Sequence, residues 1–114
     1  MDAYGSWLTQ LRKGVVELLV LGLLDARGPL HGYGIVQELQ EIGELVAGVS
    51  TVYPVLKRLE GDALVAAAWG TGEDGAARRK YYEITGEGRA FLASGRVQWR
   101  TLDRAMRGLE GETR

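Results

Sequence analysis

Apolar residues return at spacings of three and four through the first quarter of the chain, at Leu8, Leu11, Val15, Leu18, Leu19 and Leu23. The spacing predicts a helix over residues 4–26. Val16, Val20, Leu21 and Leu24 widen its apolar stripe beyond one face. Such a helix is expected to be covered on two sides, by its own domain and by a partner chain. Arg27-Gly28-Pro29 ends it, glycine as the cap and proline as the stop. A shorter helix is predicted over about Gly34–Ile42, with Ile35, Leu39 and Ile42 inward. Gly32 and Gly34 at its start suit a close approach of the backbone to a neighbouring helix or to a phosphate.

After a connection at Gly43–Val49 the helical spacing resumes, with Val52, Val55, Leu56 and Leu59 on one face. Ser50 is suited to cap this third helix. Its other face holds Ser50, Tyr53, Pro54 and Lys57, with Thr51 and Arg58 at the flanks. Hydroxyls, a phenol and cations there can meet phosphates and base edges. A solvated basic face produces the same pattern.

The period then changes. Leu64–Trp69 reads as a strand, Gly70–Gly75 as a turn-rich tip, and Ala77–Ile84 as the returning strand. In the returning strand Lys80, Tyr82 and Ile84 alternate against Arg79, Tyr81 and Glu83. Trp69 is read as structural. Thr85 is expected to cap a last helix, with Glu87 placed well against its dipole. Along that helix Leu92, Gly95, Trp99, Leu102, Met106 and Leu109 form a heptad seam, interrupted by Gly95. The seam most simply pairs with a second copy of the chain, the competing account being an intramolecular bundle.

The expected fold is therefore mainly α with a β-hairpin: a winged helix-turn-helix over residues 1–84 and a C-terminal dimerisation helix over 85–114. The wing would carry Arg78, Arg79 and Lys80 at the base of its tip, beside Lys57 and Arg58 of the third helix. Charged edges that only keep an exposed hairpin from aggregating are the competing account of this cluster.

Charge alters the picture through its distribution. The 114 residues carry a net charge of −1, yet residues 1–49 hold three Lys/Arg against six Asp/Glu, and residues 85–114 hold six against four. The basic groups are local, which is compatible with a polyanion partner despite a neutral total. There is no cysteine and one histidine, so thiolate chemistry, disulfides and a histidine metal cluster are excluded. No metal or cofactor is expected. The first residues lack a basic lead into an apolar core, and the run Val15–Leu24 is about half of a membrane span. The expectation is a cytoplasmic protein away from membranes.

Several segments together resemble the PadR family of bacterial transcriptional repressors. They are Leu30-His-Gly-Tyr-Gly-Ile, Thr51-Val-Tyr-Pro-Val-Leu-Lys-Arg-Leu-Glu, Arg78-Arg-Lys-Tyr-Tyr-Glu-Ile-Thr-Gly-Glu-Gly and the C-terminal helix, spanning roughly Leu11 to Leu109. The short tail looks like the subfamily with one dimerisation helix, which includes multidrug-sensing members. The resemblance implies a homodimer on an inverted-repeat DNA operator. It implies DNA contacts from Ser50, Thr51, Tyr53, Pro54, Lys57, Arg58, Arg78, Arg79 and Lys80, and a dimer interface built on Leu92, Trp99, Leu102, Met106 and Leu109. It also implies a planar aromatic effector held by Trp99, with Trp7 lining the same cavity; the competing role for Trp99 is to fill the interface. The chain departs from the family at Ala63, where glycine is usual, at Ala76-Ala77 before the basic run, and at Val52.

A winged helix used for protein contact, without ligand sensing, is the alternative. An enzyme is not expected, since no nucleophile–base set, phosphate-cradling loop or carboxylate pair is present.

Overall fold

A computed structural model of the chain describes residues 2–43, 49–70 and 78–111. Helix α1 spans Ala3–Arg27, capped by Asp2, whose carboxylate accepts the Gly5 amide. It stops where Gly28 turns to φ 83° and its amide closes on the Leu24 carbonyl at 2.9 Å. A two-residue strand β1, Leu30–His31, leads into α2, Gly32–Ile42. Then come α3, Val49–Gly61, the strands β2, Val65–Gly70, and β3, Arg79–Ile84, and finally α4, Gly86–Gly111.

The two long strands pair antiparallel with Val65 opposite Ile84 and Trp69 opposite Lys80. Strand β1 adds to the other edge of β3, giving the order β1-β3-β2. The core lies where three helices and this small sheet converge. Val16, Val20, Leu21 and Leu24 of α1, Ile35, Val36 and Leu39 of α2, and Val52, Leu56 and Leu59 of α3 are buried there, closed by Val65, Ile84 and Leu92. The mainly helical winged helix-turn-helix expected from the residue pattern is the fold observed.

Three details differ from expectation. Helix α2 begins two residues early, at Gly32, with His31 as its cap. Ile42 is exposed, because the helix ends at Gly43 and leaves it at the rim of a groove described below. Ser50 lies inside α3, which starts at Val49. Pro54 lies inside α3 as expected; lacking an N–H, it leaves the Ser50 carbonyl without its helical donor. The expected Gly43–Val49 connection and Gly70–Gly75 tip fall mostly outside the described residues, as does Ala76-Ala77.

The join between α3 and the wing fixes their relative placement. The Leu64 amide reaches the Leu59 carbonyl at 2.9 Å and the Ala63 amide reaches Glu60 at 3.0 Å, the paired bonds of a Schellman turn. Ala63 takes φ 61° there, the left-handed conformation that glycine adopts without steric penalty. The Thr85 hydroxyl donates to the Ala63 carbonyl at 2.8 Å and accepts the Gly88 amide at 2.9 Å, capping α4 while tying it to this turn.

Candidate nucleic-acid interface

Helix α3 divides as its sequence requires. Val52, Val55, Leu56 and Leu59 are buried, whereas Ser50, Tyr53, Pro54 and Lys57 are exposed on one side with Thr51 half-buried at the flank. Arg58 belongs to neither group. It lies about 140° round the helix from Tyr53, and its guanidinium meets Glu17 of α1 at 2.8 Å and Asp62 at 4.0 Å. Glu17 is the buried charged side chain among the described residues, and Arg58 neutralises it.

The wing turns its inner face toward α3. Strand alternation puts Val65, Ala67 and Trp69 of β2 on that face, opposite Ile84, Tyr82 and Lys80 of β3. The inner ends, Val65 and Ile84, are core. The outer end is open: Trp69, expected to be structural, is 60% exposed there. A cleft of about 480 Å³ results, lined by Tyr33, Tyr53, Trp69, Arg78, Lys80 and Tyr82 with His31 and Gly32.

Tyr53 reaches the cleft by lying on Gly32. A Cβ on that residue would stand 2.6 Å from the Tyr53 ring, so the close approach suggested by the glycine is to a side chain of α3. Gly34 instead faces the His31 ring at ordinary contact distance.

The wing cations differ in their engagement. Arg78 is exposed. Lys80 is half-buried, bonds Glu60 at the end of α3 at 3.0 Å and lies 5.5 Å from the Tyr82 ring centre. The hydrogen bond it donates to Glu60 and the neighbouring Tyr82 raise its pKa, while burial raises that of Tyr82. Arg79 is exposed, with its Nη1 2.9 Å from Nε2 of His31. Burial, then the Arg79 charge, lowers the His31 pKa, which keeps the ring neutral at neutral pH. The surface thus gathers Tyr53, Lys57 and Arg78–Lys80 on one side and sets Arg58 apart.

A second concavity lies between α1 and α4. This groove of about 620 Å³ is mostly apolar, with Leu18, Leu19, Leu23, Phe91, Trp99 and Leu102 on its walls and Glu17 and Arg96 as charged members. Gly95 breaks the heptad seam because Leu18 occupies the space its side chain would fill. Trp99 lines the groove, but Trp7 does not. Trp7 packs near the N-terminus against Tyr4, ring centres 5.8 Å apart. Leu92, expected in a dimer interface, is 2% exposed in the chain's own core, whereas Trp99, Leu102, Met106 and Leu109 are 52–61% exposed. The seam leaves the chain's own core between Leu92 and Trp99.

Sequence reasoning took Trp69 as structural and passed over His31, Glu60 and Glu17. Continuing the alternation from Val65 through Ala67 would have placed Trp69 on the cleft face. The ion-pair partners are distant in sequence and gave no local signal.

The sequence profile of the transcriptional regulator PadR-like family matches residues 20–94. An uncharacterized protein from Lysinibacillus sphaericus is 32% identical over 104 residues, covering 86% of this chain and 94% of its own. Among solved structures, a Streptococcus transcriptional regulator superposes with a TM-score of 0.79 at 33% identity, covering 89% of this chain and 97% of that one. A PadR family transcriptional regulator from Eggerthella lenta gives 0.78 at 34% identity, covering 99% and 96%. The α3 face, the wing beside it and these likenesses agree: the chain belongs to the PadR-like family and is a DNA-binding transcriptional regulator, not an enzyme.

Proposed function

We propose that the protein is a cytoplasmic homodimeric repressor that binds an inverted-repeat operator and is released by a planar aromatic ligand. In this reading residues 1–84 bind DNA and residues 85–114 form the dimer. The observation that carries it is the run of Trp99, Leu102, Met106 and Leu109, more than half exposed on one side of α4 and continuous with the apolar groove. Water is a poor neighbour for such a stripe, and a second copy related by a two-fold axis would cover it with its own. Leu92 supports each domain from within.

On DNA, two recognition helices would enter successive major grooves roughly 34 Å apart. Ser50, Thr51, Tyr53, Pro54 and Lys57 are the contacts proposed for the groove, and Arg78 and Arg79 for the backbone. Lys80 contributes by joining the wing to α3 and Arg58 by joining α3 to α1, each through its ion pair. Trp99 supplies the flat face for the ligand, which acts by favouring a dimer shape that does not fit DNA. Trp7 is too far along α1 to line the protomer's groove, and any role in the ligand site requires the second copy.

Sedimentation equilibrium combined with selection of duplexes from a random pool tests this reading. A dimer that selects inverted repeats is expected, and Leu102→Glu with Met106→Glu should yield monomers with greatly reduced operator affinity. A monomeric parent bound to asymmetric single sites would overturn it.

A further inference from the structure

The ring of His31 is held on three sides. Its Nδ1 lies 3.1 Å from the Gly34 amide at the start of α2. It meets Tyr81 edge-on with centres 5.6 Å apart, and strand pairing with Tyr81 anchors its backbone to the wing. A backbone amide only donates, so Nδ1 accepts and bears no proton. A neutral imidazole has one N–H, which therefore sits on Nε2.

Nε2 stands 2.9 Å from Nη1 of Arg79. A guanidinium nitrogen never accepts, so two donors are brought side by side. The other tautomer, with Nε2 accepting from Arg79, would turn an N–H onto the Gly34 amide and remove the cap of α2. Arg79 is exposed and water can satisfy it, whereas the Gly34 amide is fixed by the helix. The cap decides the tautomer. What remains is a neutral N–H and a cation converging at one point of the cleft between α3 and the wing, beside Arg78.

We infer that His31 Nε2–H and Arg79 together clamp one backbone phosphate of bound DNA. A phosphodiester oxygen accepts from both groups, relieving their juxtaposition, and its charge suits the guanidinium. His31 is then a DNA-binding residue of the α2–wing junction, supplying a neutral donor beside the backbone-contacting cations Arg78 and Arg79. The inference rests on the DNA-facing role proposed above for the wing.

The test compares His31→Ser, Arg79→Ala and the double variant with the parent on a selected operator duplex, by fluorescence anisotropy across salt concentrations. Serine retains a good N-cap while removing the Nε2 donor. His31→Ser should weaken binding about five- to ten-fold, equally on operator and scrambled duplex, without changing the salt slope. Arg79→Ala should flatten the slope by about one unit. The double variant should bind within about two-fold of Arg79→Ala, since both groups serve one phosphate. A methylphosphonate at one position of each half-site should abolish the difference between parent and His31→Ser, a readout that does not depend on helix stability. Parental affinity in His31→Ser, multiplying losses in the double variant, or no such phosphate would overturn the clamp while leaving DNA binding intact. A parent that bound no duplex would overturn both readings.

Discussion

Glu17 of α1 and Arg58 of α3 meet at 2.8 Å, a carboxylate with 11% of its side chain exposed against a guanidinium with 63% exposed. The pair is unequal. Water can replace the partner of Arg58 but not that of Glu17, which would be left charged among leucines. Arg58→Ala should therefore destabilise the protein by about 1–2 kcal/mol, less than for a fully buried pair because the cation is exposed. Glu17→Gln should cost less than Arg58→Ala. Urea unfolding at fixed protein concentration measures both, and equal losses would show that the asymmetry of burial does not govern the pair.

Ala63 at φ 61° predicts a gain from glycine. Releasing the left-handed alanine is worth roughly 1–2 kcal/mol, offset by about 0.4–1 kcal/mol of added freedom in the unfolded chain. Ala63→Gly should raise stability by about 0.5–1 kcal/mol, or Tm by roughly 2–6 °C. A calorimetric scan checks it, and a lower Tm would mean that the turn is relaxed as it stands.

The wing cations should separate in salt titrations of DNA binding. Arg78→Ala should flatten the slope by about one unit, the loss of one phosphate contact. Lys80→Ala should flatten it by less than half as much, because Lys80 is paired with Glu60, and should lower Tm instead. Equal slopes for the two variants would place both on phosphate.

Acid should destabilise the fold through His31. Its folded pKa lies below the ordinary value of 6.5, so the unfolded chain takes up the proton more readily. The stabilisation is complete above the unfolded pKa and disappears as pH falls through the folded one, when Nδ1 gains a proton and stops accepting from Gly34. Arg79 faces the same ring and opposes protonation; Tyr81 packs against it uncharged. Between pH 7 and 5 the parent should lose more Tm than His31→Ser. Parallel curves would remove His31 from the acid response.

The helices were legible because their periodicity is local: Val52, Val55, Leu56 and Leu59 are buried as their spacing demands. Ala63 was legible through the family resemblance, as a position where glycine is usual. Strand β1 was not, since two residues carry no period and Leu30–His31 becomes a strand by pairing with β3. Ile42 misled because it continues a spacing whose helix ends there. Within the candidate site, the exposed face of α3 could be read from the residues, but the destinations of the cations could not. Arg58, Arg79 and Lys80 look alike in sequence, and tertiary neighbours assign them to Glu17, His31 and Glu60.

Gly88 lies so close to the Leu64 carbonyl that any side chain there would collide with it, and Thr85 bonds both this glycine and Ala63. Helix α4 therefore leaves the domain in one direction and runs unbroken to Gly111. In a dimer that helix is a spindle: its rotational phase between Leu92, which grips the domain, and Leu102, which would face the partner, sets how the two reading heads are turned toward the duplex. One residue inserted between them would rotate each head by about 100° and spoil the match to the operator, whereas seven residues, about two turns, would nearly restore the phase while lengthening the span by roughly 10 Å.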